Sequence, residues 1–363
     1  MDNLKKLNRN LSNISTWLKF DKIPWVIAGP CSAESEEQLI LTARELAKCP
    51  HVKVFRAGVW KPRTRPNSFE GVGKVGLQWL RAVKAETSLL TTTEAANARH
   101  IELCLDNDVD IIWIGARTTV NPFMVQEMAD ALKGVDVPVL VKNPINAELG
   151  LWLGAIERLY QAGIKKLAAI HRGFSTFVEM EYRNSPNWRI PIELKRLLPD
   201  LPIICDPSHI GGSRDFIEPI SQMAMDLGIE GLMIETHIDP DRALSDSKQQ
   251  ITPKALIELL DRLRVRSTAI TDEQVKAKIA RLRTEISRVD SQIILALAER
   301  FRWVEEIGKL KQQHNISVLQ INRWENLLKD HVAKAKQLDL DTDFTKAIFE
   351  LIHTQAVTRQ FTP

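Results

Sequence analysis

The chain has 363 residues, 44% hydrophobic and 6% aromatic, with 49 Lys and Arg against 46 Asp and Glu. That is the composition of an ordinary globular protein, and the length suggests two domains or one large domain with an appendage. A formal charge of +3 is too weak to imply a nucleic-acid or membrane surface, so any anion binding must come from local clusters. No apolar run approaches the roughly 20 residues needed to cross a bilayer. Cys31, Cys49, Cys104 and Cys205 lack C-x-x-C or disulfide-like spacing, and the opening MDNLKKLNRNLSN has no apolar signal core; both point to a reduced cytoplasmic protein.

In chain order, eight short apolar runs read as strands: WVIAG (25–29), KVFRAG (53–58), SLLTT (88–92), DIIWIGA (110–116), PVLVKN (138–143), KLAAIHRG (166–173), PIICDPSH (202–209) and GLMIET (231–236). Most are unbroken rather than alternating, as expected of parallel strands covered on both faces, and segments of helical periodicity such as EEQLILTARELAKC lie between them. Eight such units over about 20–262 predict a (β/α)8 barrel, a fold of roughly 250 residues. A doubly wound sheet ranks second, because no G-x-G-x-x-G follows the first strand.

From about Thr271 the texture changes. Apolar residues recur at Ile279, Leu282, Ile286, Val289, Ile293, Leu297, Phe301 and Val304, always three or four apart, in a stretch whose only glycine is Gly308. This predicts one amphipathic helix of over 40 residues, capped by Thr271 or Asp272, then helices near 320–337 and 342–360, the last opened by Thr342 or Asp343. Three helices so unequal cannot bury the long stripe within one chain, so an obligate helical dimer is expected. The domains are then 1–262 and 271–363, with 263–270 as linker.

Active sites in the barrel fold lie at the C-terminal strand ends. There the sequence sets Cys31 in GPCSAE, His209 in DPSH, Glu235 in IETH and, in the loop beyond, Asp246 in ALSDSKQ. A lone buried Cys is usually a small hydrophobe and a lone loop Asp a cap, but their joint placement favours a divalent-metal site, for which manganese, iron, cobalt and zinc all stay open. Arg56, Lys61, Arg63, Arg117, Lys142 and Arg172 also sit at strand ends or just beyond. Cations around a metal imply a multiply anionic substrate, and two phosphorylated substrates would fit.

The ordered motifs GPCS, KPRT, GAR, VLVKN, HRG, DPSH and ALSD-KQ resemble 3-deoxy-D-arabino-heptulosonate 7-phosphate (DAHP) synthase of the type I-beta subgroup, over about residues 24–250. The resemblance implies metal ligation by Cys31, His209, Glu235 and Asp246. It implies phosphoenolpyruvate binding by Arg56, Lys61, Arg117, Lys142 and Arg172 with the backbone of Gly115 and Ala116, and erythrose 4-phosphate binding by Arg63 and Thr64, with Lys61 placed to protonate the aldehyde. The 3-deoxy-octulosonate 8-phosphate synthases are the close competitor, and the KPRT motif argues for the four-carbon sugar.

On the long helix, Arg300 and Lys311 lie within about 20° of one face at 100° per residue, while Arg283 is about 100° away. A solvated, purely dimerising tail is the bland reading of such a helix. However, L-R-x-E-I-x-x-x-D (282–290), LALAER (295–300), the G-K-x-K of 308–311 and Gln360 resemble the all-helical chorismate mutase over 271–360. The resemblance implies chorismate carboxylate binding by Arg283, reaching the partner subunit's site, and by Arg300 and Arg323, with Lys311 and Gln360 on the ether oxygen. Gln320, Trp324 and Ala356 depart from the family's Asp, Glu and Ser, with Glu325 displaced by one; Gln320 can still serve the substrate hydroxyl, and activity is expected. With about 20 residues ahead of the first strand, the mutase domain is the expected sensor, chorismate or prephenate there inhibiting the barrel.

Overall fold

A computed structural model of the chain describes residues 2–61, 69–177, 180–266 and 269–361 and divides it into two compact units, Met1–Thr268 and Ala269–Pro363. In the first, strands β1 (Trp25–Gly29), β2 (Val52–Arg56), β3 (Leu90–Ala95), β4 (Ile111–Ile114), β5 (Val139–Lys142), β6 (Leu167–His171), β7 (Ile203–Cys205) and β8 (Gly231–Glu235) form a closed parallel barrel. Closure runs in register from Trp25 opposite Gly231 to Gly29 opposite Glu235. The doubly wound alternative is thereby excluded.

Two apolar layers explain the unbroken runs. Residues pointing outward from the strands pack under the helices, while Ile27, Val54, Ile111, Trp113, Leu140, Ile170, Ile204 and Met233 fill the interior. A segment the periodicity did not reveal closes the bottom: Ile14, Trp17, Leu18 and Phe20 pack upward onto that interior cluster, with Leu18 fully buried. The polar cavity described below lies at the other end, where the strand C-termini point.

Two segments differ in detail from the sequence expectation. Ser88 takes a left-handed φ of 60° and ends a helix, so β3 starts at Leu90 and runs to Ala95. The run at 202–209 is strand only to Cys205; Asp206 then caps a short helix, Pro207–Gly211, with Pro207 at its first position. His209 therefore stands on a helical turn rather than a strand.

The second unit holds helices Glu273–Gln313, Ile321–Gln337 and Thr342–Phe361. Asp272 caps the first through Gln274 and Val275. The third is opened by Asp341, whose carboxylate accepts from the Phe344 amide at 2.7 Å, in place of the expected Thr342 or Asp343. Val304 and Gly308 of the long helix are buried, whereas Val275, Leu282, Ile286, Val289 and Ile293 are exposed. Among the described residues no helix is long and apolar enough to cross a membrane.

Candidate active site

The barrel mouth encloses a cavity of ≈ 420 Å³. Cys31 enters it because the chain leaves β1 through Gly29, whose φ of 146° and contact with the Arg56 carbonyl, 2.1 Å from an imagined Cβ, exclude any side chain. The Cys31 thiol donates to Asp246 Oδ2 at 3.1 Å, and its amide donates to Gln250 Oε1 at 2.9 Å. Donor atoms of Cys31, Glu235 and Asp246 all lie within 4.8 Å of one another. His209 Nε2 is 3.7 Å from Glu235 Oε1, and its Nδ1 faces Asp206 at 2.8 Å.

This geometry suits a divalent cation. Glu235 is fully buried, and its Oε1 makes no hydrogen bond, only an ion pair with Arg56 at 3.2 Å. Desolvation holds the His209 pKa below its ordinary value, and an Nδ1 proton directed at Asp206 leaves Nε2 with its lone pair toward Glu235. Burial alone would raise the Asp206 carboxyl, but His209 and Lys142 hold it well below the usual carboxylate range. Asp246 is likewise held down, burial being outweighed by Lys61 and Arg183. Burial and Glu235 push the Cys31 thiol up, so metal binding must release its proton.

Six cations line the same cavity: Arg56, Lys61, Arg117, Lys142, Arg172 and Arg183. Arg56, only 2% exposed, lies 3.2 Å from Glu235 through Nη2, while its Nε and Nη1 are buried without partners. Unmatched buried donors of this kind call for an anion. Lys142, 4% exposed, pairs with Asp206 at 2.9 Å. Lys61 contacts the Cys31 thiol and lies 3.3 Å from Asp246; burial works against its charge, but Cys31, Glu235 and Asp246 outweigh that and raise its pKa. Arg172 donates to Asn184 at 2.8 Å, and desolvation lowers it to about 10. Arg117 sits on the short helix after β4, whose N-terminus is formed by Gly115 and Ala116. Arg63 and Thr64 lie outside the described residues.

Several contributors lay beyond the sequence reasoning. Trp113, an interior residue of β4, carries Arg56 4.9 Å and Lys142 5.6 Å from its ring centroid and donates to Glu94 at 2.9 Å. Trp60 stacks on His100, ring centroids 3.8 Å apart, bracing the chain next to Lys61. Arg183 and Gln249 reach the outer oxygens of Asp246 and Glu235, and Gln250 holds the Cys31 amide. An apolar letter at the end of β4 and amides inside a polar loop carry no signal of this kind.

In the helical unit, Arg300, Val304, Gly308 and Lys311 fall on one face of the long helix. Gly308 lets the third helix approach: a Cβ there would meet Gln360 at 3.2 Å. Arg300 Nη1 and Gln360 Oε1 are buried without partners, and Lys311 donates to the Val318 carbonyl at 2.7 Å. Trp324 stacks on His353 with centroids 3.9 Å apart, and desolvation and Arg300 lower the His353 pKa. Gln320 precedes the second helix without a capping bond, while Arg323 and Arg283 are exposed and are not drawn into this group by the single chain.

Comparison with known proteins agrees with both halves. The DAHP synthetase I family matches residues 20–271 and chorismate mutase type II matches 282–361. A phospho-2-dehydro-3-deoxyheptonate aldolase of Thermotoga maritima is 35% identical over 245 residues, 68% of this chain and 70% of that protein. A solved Thermotoga maritima DAHP synthase structure superposes with a TM-score of 0.59 at 34% identity, covering 65% of this chain and 67% of that one. A 2-dehydro-3-deoxyphosphooctonate aldolase of Desulfotalea psychrophila is more distant, 29% identical over 265 residues, 66% of this chain and 88% of that protein.

Behind the cavity, His171 is fully buried against Phe174 and Trp188, and desolvation pushes it down to about 3. It stays neutral in the folded state while an unfolded histidine takes a proton below about pH 6.5. The unfolded chain then binds more protons, so stability falls as pH drops from about 6.5 toward 4.5, by up to about 1.4 kcal/mol per pH unit for one such group. Urea unfolding across that window is expected to give a shallower pH slope for His171→Phe than for the wild type; an unchanged slope would refute the assignment.

Proposed function

This chain belongs to the DAHP synthetase I family and carries a chorismate mutase type II domain, and from that premise we propose how its own residues run the two reactions. It is a bifunctional enzyme: the barrel condenses phosphoenolpyruvate with erythrose 4-phosphate, and the helical domain rearranges chorismate to prephenate. The observation carrying the barrel assignment is the convergence of ligand-type donors and six cations on one cavity, with two Arg56 donors buried and unmatched. The family relation disfavours the octulosonate alternative.

Cys31, His209, Glu235 and Asp246 hold a divalent metal, and their mixed thiolate, imidazole and carboxylate set suits manganese, iron, cobalt or zinc. When bound, the metal acts as a Lewis acid on the sugar aldehyde. Arg56, Arg117, Lys142 and Arg172, with the Gly115–Ala116 backbone, grip phosphoenolpyruvate, and Arg63 and Thr64 take the phosphate of erythrose 4-phosphate. These cations hold two mutually repelling anions within reacting distance. As C3 of the enol attacks the aldehyde carbon, Lys61 gives its proton to the aldehyde oxygen. Water adds at C2, and phosphate leaves. The raised pKa of Lys61 keeps that proton available at neutral pH.

For the mutase, the exposed stripe Leu282, Ile286, Val289 and Ile293 of the domain read as 271–363 pairs with a second copy. Arg300, Arg323 and Arg283 of the partner subunit bind the two carboxylates, while Lys311 and Gln360 stabilise charge on the ether oxygen. The rearrangement is unimolecular, so preorganised donors suffice. Gln320 serves the substrate hydroxyl. Prephenate bound there lowers barrel turnover, coupling the domains. Four free, buried cysteines and phosphorylated substrates support a cytoplasmic location.

The barrel assay follows phosphoenolpyruvate consumption. Activity with erythrose 4-phosphate should vanish in chelator and return with manganese, and turnover with arabinose 5-phosphate instead would overturn the sugar assignment. Arg300→Ala should cut mutase turnover by about 10²–10³-fold and abolish prephenate's effect on the barrel, yet leave DAHP synthesis intact; retained mutase turnover would remove Arg300 from the site, and a wild type with no turnover to lose would reduce the tail to a scaffold. Ile286→Asp should yield monomers in sedimentation and lose mutase activity, and a monomeric wild type would exclude the dimer.

A further inference from the structure

We infer that Gln249 is a positioning residue that orients Glu235 and Asp246 from behind, an inference that rests on the metal-ligand set proposed above. Gln249 is buried in the turn that follows Asp246. Its Nε2 donates to Glu235 Oε2 at 2.7 Å, and its Oε1 accepts from Arg183 Nη1 at 2.8 Å. The same Arg183 nitrogen donates to Asp246 Oδ1 at 3.1 Å. One amide and one guanidinium thus tie the outer oxygen of each carboxylate.

The inner oxygens face the other proposed ligands. Asp246 Oδ2 takes the Cys31 thiol at 3.1 Å, and Glu235 Oε1 lies 3.2 Å from Arg56 Nη2 and 3.7 Å from His209 Nε2. A carboxylate turns easily about its last torsion, which has only a broad two-fold preference, so Gln249 on Oε2 and Arg56 on Oε1 together keep Glu235 in one orientation. Asp246 itself stands at φ 46°, a strained left-handed position, and its carbonyl accepts the Gln249 amide at 3.1 Å. Gln249 therefore fixes its neighbour through the backbone as well as through Arg183.

The neutral carboxamide is suited to this bridge. Arginine can only donate and a carboxylate can only accept, so the bridging side chain must accept at one end and donate at the other. A Glu at 249 would face Glu235 with like charge, and a Lys would face Arg183.

The test measures cobalt(II) affinity of the full-length protein by competition with a chelating dye. Gln249→Met should bind cobalt about 10–100-fold more weakly, the usual effect of losing a partner behind a metal ligand, with DAHP synthesis recovering to within about threefold at saturating cobalt. A purely structural amide would instead lower activity that excess cobalt does not restore, and that result overturns the inference. Arg183→Met, a change at a half-exposed side chain, carries the test if the first variant does not fold. It should weaken cobalt binding in the same direction, and unchanged affinity there counts against the inference. Cys31→Ser separates the two levels: if it binds cobalt like wild type, the ligand set itself is wrong. If it loses cobalt while Gln249→Met and Arg183→Met keep it within about twofold, only the role of Gln249 fails.

Discussion

A charge taken out of water must be met by an opposite charge or a well-aimed dipole, and the upper half of this barrel is organised around that requirement. Glu235 and Asp206 are fully buried, and each is faced by a basic side chain, Arg56 and Lys142 respectively. Those two cations in turn share the ring of Trp113, a polarisable surface that costs them less than an aliphatic wall would. The arrangement is balanced but not closed. Arg56 keeps two buried donors unmatched, so the site can receive an anion, whereas a cation would have to replace the contacts that Lys61 and Arg56 make with Cys31, Asp246 and Glu235.

The helical unit answers the same requirement differently. Arg300 and Gln360 each hold a buried polar atom without a partner, and no acid stands opposite them among the hydrogen bonds of the described residues. A rearrangement that moves electrons within one molecule needs no proton relay, only fixed donors that favour one conformer. Gly308 matters here because its missing side chain sets the separation between the helix bearing Lys311 and the helix bearing Gln360.

Much of this was legible in the sequence because both strong signals are periodic or clustered. Unbroken apolar runs separated by amphipathic segments specify a parallel barrel, and strand-end residues such as Cys31, Arg56, Lys142 and Glu235 fall into place once the strands do. What stayed hidden depends on tertiary contact. Leu18 looks like any apolar residue of an irregular segment until the barrel bottom closes over it. Asp206 reads as the continuation of β7, although the proline after it and its own cap make it a helix start. The Asp341 cap lies one residue outside the expected opening, within the ordinary uncertainty of helix ends.

The apolar stopper formed by Ile14, Trp17, Leu18 and Phe20 packs on the barrel interior at the end opposite the polar cavity, so that cavity has a floor and a rim. Arg56 and Lys142 lie at the floor on Trp113, whereas Arg183 is half exposed at the rim. The deepest cations are the ones screened from water and those nearest solvent keep their hydration, so the same kind of charge attracts an anion more strongly at one depth of the cylinder than at another.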